Sequence, residues 1–194
     1  MSILTNRFSL PQPLYSAVKN DSYYQPGKIS VTGLIKPPII RCLQQRHDAE
    51  ITEDASERIW SLLGQSVHAI LERANTDNHL AEERLSAEVL GWKITGQADL
   101  LDNNGGLSDW KVTRVFSFLL GEKKEWAQQL NAYGWLYSKL GFDIKKLQIV
   151  AILRDWTQSR VKDDYPQCPV MVVDILVWNT ATTEAWITER VRRH

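Results

Sequence analysis

The stretch GQADLLDNNGGLSDWKV, residues 96–112, determines how the centre of this sequence folds. Apolar residues on both sides of its Asn-Asn-Gly-Gly turn predict two strands joined in a hairpin. Asp109 and Lys111 lie two positions apart, so on a strand their side chains project from the same face. The hairpin brings Asp99, on the preceding strand, close to both. The sequence therefore predicts two carboxylates and one ammonium group where a core strand would be apolar.

This charged cluster has two interpretations. Two carboxylates beside a lysine suit a hard divalent cation, which prefers oxygen ligands. Such a cation can lower the pKa of a bound water and neutralise a phosphoryl oxygen, while Lys111 positions or deprotonates the attacking water. The alternative is a surface hairpin in which Asp109 and Lys111 form a simple ion pair. The hairpin alone leaves both open.

A helix is predicted before the hairpin. Residues 54–74 carry apolar side chains at helical spacing, and Asp54 followed three residues later by Glu57 indicates a capped start. Gly64 inside this helix costs about 1 kcal/mol relative to alanine. We therefore expect another backbone to approach the helix closely at Gly64.

Further helices are predicted elsewhere in the chain. Residues 122–141 have apolar side chains at helical spacing and end at Gly141, a residue suited to a helix C-terminus. Residues 182–194 predict a closing helix with basic residues near its C-terminus. Pro37 and Pro38 separate two short helical pieces, because a proline ring clashes with a preceding helical turn.

The remaining segments predict a sheet. Residues 84–116 predict a meander of three strands, and residues 145–156 and 169–178 predict a fourth and a fifth strand. Residues 1–28, rich in Pro, Ser, Asn and Tyr, are expected to form an extended or irregular N-terminal arm. The order of the elements predicts the α/β (α+β) class, with a central mixed β-sheet flanked by helices.

Composition excludes several classes of protein. The chain has 194 residues and a formal net charge of zero, so it lacks the basic footprint of an architectural nucleic-acid binder. Any anionic partner must then be bound locally. No apolar run approaches the roughly 20 residues of a membrane helix, and the N-terminus lacks the pattern of an export signal. We expect a cytoplasmic protein without a membrane partner.

Four short motifs follow one another between residues 64 and 133: GQSVH at 64–68, GQAD at 96–99, DWK at 109–111 and QLNAY at 129–133. In these motifs and their order the chain resembles the PD-(D/E)XK nuclease superfamily, in particular its RecB-like and Cas4-like exonuclease branch, which includes phage-encoded recombination exonucleases. The resemblance implies a restriction-endonuclease-like core at 54–155 within a single nuclease domain spanning 1–194. A bacterial or phage-infected host cytoplasm would be its location.

The resemblance also implies a set of site residues. His68, Asp99 and Asp109 would ligate Mg²⁺ or Mn²⁺, with the carbonyl of Trp110 as a further ligand. Lys111 would be the catalytic lysine. The resemblance gives one more pair, which lies four residues apart on one helix face and would orient the site or contact the DNA backbone: Gln129 and Tyr133.

Other residues are weaker candidates. Lys123 and Lys124 could contact phosphates, which would position nucleic acid without reading its sequence. Glu88, on the strand before Asp99, is a candidate for supporting the metal ligands. Outside the family context, His68 and the glutamine and tyrosine of the QLNAY motif would be ordinary residues bordering the core.

The cysteines depart from part of the family. Several relatives hold an iron–sulfur cluster with one cysteine before the nuclease core and three after it. This chain has only Cys42 and Cys168, which cannot supply four ligands. We expect no iron–sulfur cluster.

The resulting hypothesis is a metal-dependent DNA exonuclease that hydrolyses phosphodiesters with metal-activated water in DNA repair, recombination or phage DNA processing. DNA would be its partner, with a protein partner or a homo-oligomer left open. One alternative is a structure-specific or nicking endonuclease on the same core. Two others are a catalytically silent DNA-binding or protein-interaction module of this fold and an unrelated α/β domain with coincidental motifs.

Overall fold

A computed structural model describes residues 3–19, 27–74, 79–80, 84–121, 123–162 and 164–194. In these ranges the strands come singly or in groups separated by helices. The strands are β1 (Ile3–Thr5), β2 (Lys28–Ser30), β3 (Thr52–Asp54), β4 (His79–Leu80), β5 (Leu85–Val89), β6 (Trp92–Gly96), β7 (Leu100–Asp102), β8 (Gly106–Thr113), β9 (Lys146–Leu153) and β10 (Val170–Ile175). The helices are α1 (Gln12–Lys19), α2 (Val31–Ile35), α3 (Pro38–His47), α4 (Ile59–Arg73), α5 (Val115–Leu119), α6 (Lys124–Ser138) and α7 (Thr180–Arg193).

The central sheet contains five strands in the order β10-β9-β8-β7-β4. β8 and β9 run parallel, with Asp109 opposite Ile149, whereas the other neighbouring strands are antiparallel. This is the mixed sheet that the sequence predicts. Residues at every second position of β9, from Leu147 to Leu153, are buried. Because side chains alternate between the faces of a strand, these residues line one face of the sheet.

Helix α6 fills the core against that face. Its buried residues include Leu130 and Leu136, both 2% exposed or less, and they pack in one cluster with Leu107 and Ile149 of the central sheet. This confirms the helix predicted for residues 122–141.

α4 and α6 have 15 residues each, and no helix in the described ranges is long and apolar enough to span a bilayer.

The predicted meander of three strands is wrong. The segment contains four strands that belong to two sheets. β6 pairs with β5 on one side and with β2 on the other in a separate three-stranded sheet, whereas β7 and β8 join the central sheet. The chain leaves strand conformation between Gln97 and Asp99. Alternation of polar and apolar residues predicts where each strand lies but not which strand it pairs with. The move of the chain from one sheet to the other was therefore not predicted.

The N-terminal segment is more regular than expected. Instead of an irregular arm over residues 1–28, its described part contains β1, α1 and the start of β2, and residues 1–2 and 20–26 lie outside the described ranges. β1 pairs in parallel with β3. The predicted helix from Asp54 begins as a short 3₁₀ turn, Ala55–Arg58, before α4.

Asp54 connects the N-terminal segment to the 3₁₀ turn before α4 through hydrogen bonds. Its carboxylate accepts hydrogen bonds from the Arg7 amide at 2.8 Å, from the Thr5 hydroxyl at 2.8 Å and from the Ser56 amide at 3.1 Å. The hydrogen bond from the Arg7 amide, followed by those from Ser56, holds the pKa of Asp54 well below its usual value of 3.8. The carboxylate is 1% exposed. Burial thus coexists with a low pKa because donors surround both oxygens.

Asp54→Asn is expected to destabilise the fold in a pH-dependent manner. Because the folded-state pKa lies below the unfolded value, the charged carboxylate stabilises the fold above about pH 4 and this contribution is lost as the pH falls. Urea unfolding should therefore give a lower midpoint for the variant at pH 7, with the difference from wild type shrinking below about pH 4. A difference that stays constant over this range would contradict the assignment.

Helix α7 holds α2 in place. The Arg190 guanidinium donates hydrogen bonds to the carbonyls of Leu34, Ile35 and Lys36 at the C-terminal end of α2. At the other end, the Ser30 hydroxyl accepts a hydrogen bond from the amide of the third α2 residue at 3.0 Å. Such contacts satisfy groups that a short helix leaves unpaired. α2 and α3 confirm the two helical pieces predicted around the prolines.

Candidate active site

A cleft of about 680 Å³ opens between α4, α2, β6 and α6. Its volume lies within the range of roughly 300–1,000 Å³ that is typical of ligand sites. The edge of β8 beyond Ser108, where pairing with β7 ends, lies at this cleft. The cleft brings together the side chains of six residues that the sequence motifs predict: His68, Asp99, Asp109, Lys111, Gln129 and Tyr133.

Asp109 and Lys111 project from the same face of β8, as the spacing predicts. Lys111 Nζ lies 2.6 Å from Asp109 Oδ2. The Asp109 carboxylate is 3% exposed, and its burial raises its pKa to about 6 although the Lys111 charge acts in the opposite direction. Despite the ion pair, Oδ2 receives no hydrogen bond of good geometry from the described residues. Asp109 is therefore a buried carboxylate whose lost hydration is only partly replaced by protein contacts. Such burial costs free energy of folding, which is unusual for a residue with a purely structural role.

Asp99 links α4 to β8. Its Oδ1 lies 2.9 Å from His68 Nδ1, and its Oδ2 accepts a hydrogen bond from the Trp110 amide at 2.6 Å. The bond to Asp99 raises the pKa of His68. In a strand the amide and carbonyl of one residue point to the same side. The Trp110 carbonyl therefore points to the side on which Asp99 lies, away from β9.

Gln129 and Tyr133 form the α6 side of the cleft. Gln129 Nε2 donates to Asp109 Oδ1 at 3.1 Å and also to the Tyr133 hydroxyl at 2.9 Å. Both residues are buried, and burial raises the pKa of Tyr133 well above its usual value. The amide thereby fixes one oxygen of Asp109, while the tyrosine stays neutral.

Gly96, the first residue of the GQAD motif, allows this packing. A Cβ atom at position 96 would lie 2.7 Å from Leu136 Cδ1 and 2.8 Å from the Tyr133 ring. These distances are shorter than van der Waals contact. Gly64, in contrast, has no atom within 4 Å of a corresponding Cβ. The expected close approach of a backbone at Gly64 is therefore wrong.

Gly96→Ala and Gly64→Ala should have opposite effects on stability. Overpacking of a core typically costs about 1–3 kcal/mol, so Gly96→Ala should lower the free energy of unfolding by that amount. Gly64→Ala should raise it by up to about 1 kcal/mol, because alanine favours a helix. Urea unfolding of both variants tests this pair. A stable Gly96→Ala protein, or a destabilised Gly64→Ala protein, would contradict the packing described for β6 and α4.

Three weaker candidates lie outside the cleft. Glu88 is exposed on β5 and stands opposite Lys93 of β6. Lys123 and Lys124 lie at the N-terminus of α6, where Lys123 Nζ lies 5.5 Å from the centre of the Trp126 ring. None of the three belongs to the described lining of the cleft. The structure does not bring them to the carboxylates, and contacts of the lysines with DNA stay a prediction.

The cleft also contains residues that the sequence analysis missed. Ser30 and Thr32 lie at the start of α2, and their hydroxyl oxygens are 3.0 Å apart. Glu72 and Arg84 add one charge of each sign. Two signals existed in the sequence: Ser30 and Thr32 belong to the segment SVTGLI, residues 30–35, which also looks similar to the family, and Glu72 follows His68 by four residues and so shares a helix face with it.

Comparisons with known proteins support the fold. No protein-family model and no curated protein matches this chain. Among solved structures, the alkaline exonuclease LHK-Exo from Laribacter hongkongensis has 11% identity and a TM-score of 0.51, covering 94% of this chain and 91% of its own. A phage-related exonuclease from Haemophilus somnus 129PT has 14% identity and a TM-score of 0.52, covering 88% and 92%. This chain shares the fold of these two exonucleases.

The exonuclease fold agrees with the resemblance of the four motifs to the PD-(D/E)XK nuclease superfamily. It also confirms the predicted α/β class with mixed sheets and flanking helices. The protein SSO0001 is another match, with 19% identity and a TM-score of 0.60 over 92% of this chain and 83% of its own.

The chemistry of the cleft fits a hard divalent cation. No three His, Cys, Asp or Glu side chains within the described ranges form a ready-made metal centre, and His68 Nδ1 and both Asp99 oxygens are engaged with protein groups. The donor types are nevertheless those of Mg²⁺ or Mn²⁺ sites: two carboxylates, an imidazole and a backbone carbonyl. Asp109 Oδ2, which contacts Lys111 Nζ but receives no hydrogen bond of good geometry from the described residues, is a candidate ligand for such a cation.

Proposed function

We propose that this protein is a metal-dependent DNA nuclease that acts as an exonuclease. One observation carries the proposal: within an exonuclease fold, Asp99, Asp109 and Lys111 meet in a single cleft. Fold alone does not give function, so we infer the function from the chemistry of this cluster. Processing of DNA ends in repair, recombination or phage replication would be its setting.

Asp99 and Asp109 would hold Mg²⁺ or Mn²⁺, together with His68 and the Trp110 carbonyl. When bound, the cation lowers the pKa of water and neutralises charge on a phosphoryl oxygen. Gln129 keeps Asp109 in place by donating to its Oδ1, so that the other oxygen faces the ion pair with Lys111. The protein thus contributes an oriented carboxylate whose burial makes association with a positive charge favourable.

Lys111 would act on the attacking water. Its Nζ lies at the cleft, and its side chain is 26% exposed, so the ammonium group is accessible to substrate as well as bound to Asp109. An ammonium group can orient a water molecule, and it can stabilise the charge that develops on a phosphate during attack. Tyr133, kept neutral by burial, would hold the glutamine amide in the orientation that serves Asp109.

Digestion of end-labelled DNA tests the proposal. Linear duplex, linear single-stranded and covalently closed circular DNA are incubated with Mg²⁺, with Mn²⁺ or with EDTA. The proposal predicts metal-dependent loss of the linear substrates alone. Cutting of closed circles would show an endonuclease instead, and absence of digestion by folded protein with either metal would overturn the proposed nuclease.

A further inference from the structure

Glu72 and Arg84 line the cleft but take part in no ion pair among the described residues. Both side chains are exposed. The other charged residues of the cleft are already engaged, since Lys111 contacts Asp109 and His68 contacts Asp99. Within the part of the chain that the structure describes, these two exposed charges are therefore available to a ligand.

Arg84 lies on the wall that the three-stranded sheet forms. It precedes Leu85, which stands opposite Gly96 in the antiparallel pair of β5 and β6. This register places Arg84 beside Gln97, two residues before Asp99. Arg84 lines the same cleft as Tyr133 of α6, and its positive charge acts to lower the pKa of the Tyr133 hydroxyl against the larger effect of burial.

Glu72 lies on the α4 wall. It follows His68 by one helical turn and shares the cleft-facing side of α4 with Gln65 and Ala69. A carboxylate at this point repels a phosphate, whereas a guanidinium on the sheet wall attracts one and can bind it through two hydrogen bonds. Beside the candidate metal ligands, the α4 side of the cleft thus repels a polyanion, whereas the side formed by the three-stranded sheet attracts one.

We propose that Arg84 binds the phosphate next to the scissile phosphate, so that the nucleic-acid strand crosses the cleft along the sheet wall and away from Glu72. This inference rests on the proposed nuclease function. It adds a substrate-positioning residue and a path for the strand. Since phosphate contacts carry no sequence information, Arg84 should act equally on all sequences.

The test is binding of a fluorescently labelled single-stranded 12-mer in EDTA, where no cleavage occurs, across a series of salt concentrations. Arg84→Ala should weaken binding about tenfold, the loss of one charged hydrogen-bonded contact. It should also reduce the slope of log affinity against log salt by about 1. Arg84→Lys should restore the slope, because lysine retains the charge, but only part of the affinity.

Two further variants complete the test. Glu72→Gln should tighten binding about twofold to fivefold, because it removes a repulsive charge within a Debye length of the strand. Arg73→Ala removes an exposed arginine outside the cleft lining, whose Nε donates to the Ala69 carbonyl, and should leave affinity unchanged. This control separates a specific contact from a general loss of positive charge.

Three results would overturn the inference. Equal losses in Arg84→Ala and Arg73→Ala would show that Arg84 makes no specific contact. Weaker DNA binding by Glu72→Gln would show that the strand contacts Glu72 on the α4 side of the cleft instead of running along the three-stranded sheet. Loss of metal-dependent digestion in Glu72→Gln, at unchanged DNA affinity, would make Glu72 a metal ligand. If wild type neither binds nor digests DNA, the proposed function itself fails, whereas the first two results leave it intact.

Discussion

Asp109→Asn is expected to lower the rate of DNA cleavage by about 1,000-fold or more. The substitution removes a carboxylate that the proposed cation needs, and stabilisation by such a cation is worth several kcal/mol. A loss of about 4 kcal/mol corresponds to a thousandfold in rate. The asparagine oxygen can still accept the hydrogen bond that Gln129 donates to Asp109 at 3.1 Å. The cleft should therefore keep its shape.

Single-turnover digestion of labelled linear DNA, together with urea unfolding, measures both parts of this prediction. Urea unfolding checks that the variant is folded, because Asp109→Asn removes the charged partner of Lys111 and the loss of one member of a buried ion pair is destabilising. Asp143→Asn is the matched control, because Asp143 and Lys145 have the same spacing and form an exposed pair at 3.6 Å. Wild-type cleavage by Asp109→Asn would refute the role of this carboxylate.

Lys111→Met is expected to lower the rate constant of cleavage by about 10²–10⁴-fold. This is the range typical of a side chain that moves or positions a proton in the transition state. Methionine retains much of the apolar stem but has no ammonium group at the cleft. The affinity for DNA should change little, because the Nζ atom already forms an ion pair with Asp109. The defect should therefore appear in the rate of the chemical step.

The comparison that isolates this effect is Lys145→Met, which removes an exposed lysine from the other Asp-x-Lys pair. Single-turnover rates at saturating protein, with DNA affinity measured separately in EDTA, distinguish chemistry from binding. If Lys111→Met cleaves at the wild-type rate but binds DNA more weakly, Lys111 would contact substrate without a catalytic role.

The sequence predicted the centre of the site because its motifs are local. Asp109 and Lys111 share a face through the two-residue period of a strand, and four-residue spacing on a helix places Gln129 beside Tyr133. The contact between His68 and Asp99 spans 31 residues and could be expected only from the family resemblance. These residues do meet in the structure, which leaves their chemical roles to experiment.

The remaining part of the site depends on long-range packing. Arg84 reaches the cleft only because β5 and β6 leave the expected meander and form a second sheet. In the sequence it is a charged residue at a strand start, as on any solvated surface. The N-terminal segment was missed for the same reason, since Asp54 joins it to α4 across about 50 residues.

A crystal of the wild-type protein soaked in Mn²⁺ tests the central claim most directly. We expect an anomalous difference peak in the cleft, about 2.0–2.3 Å from carboxylate oxygens of Asp99 and Asp109, and none at this position in Asp109→Asn. A peak elsewhere on the protein, or an empty cleft at saturating Mn²⁺, would contradict the assignment of these carboxylates as metal ligands and with it the proposed mechanism.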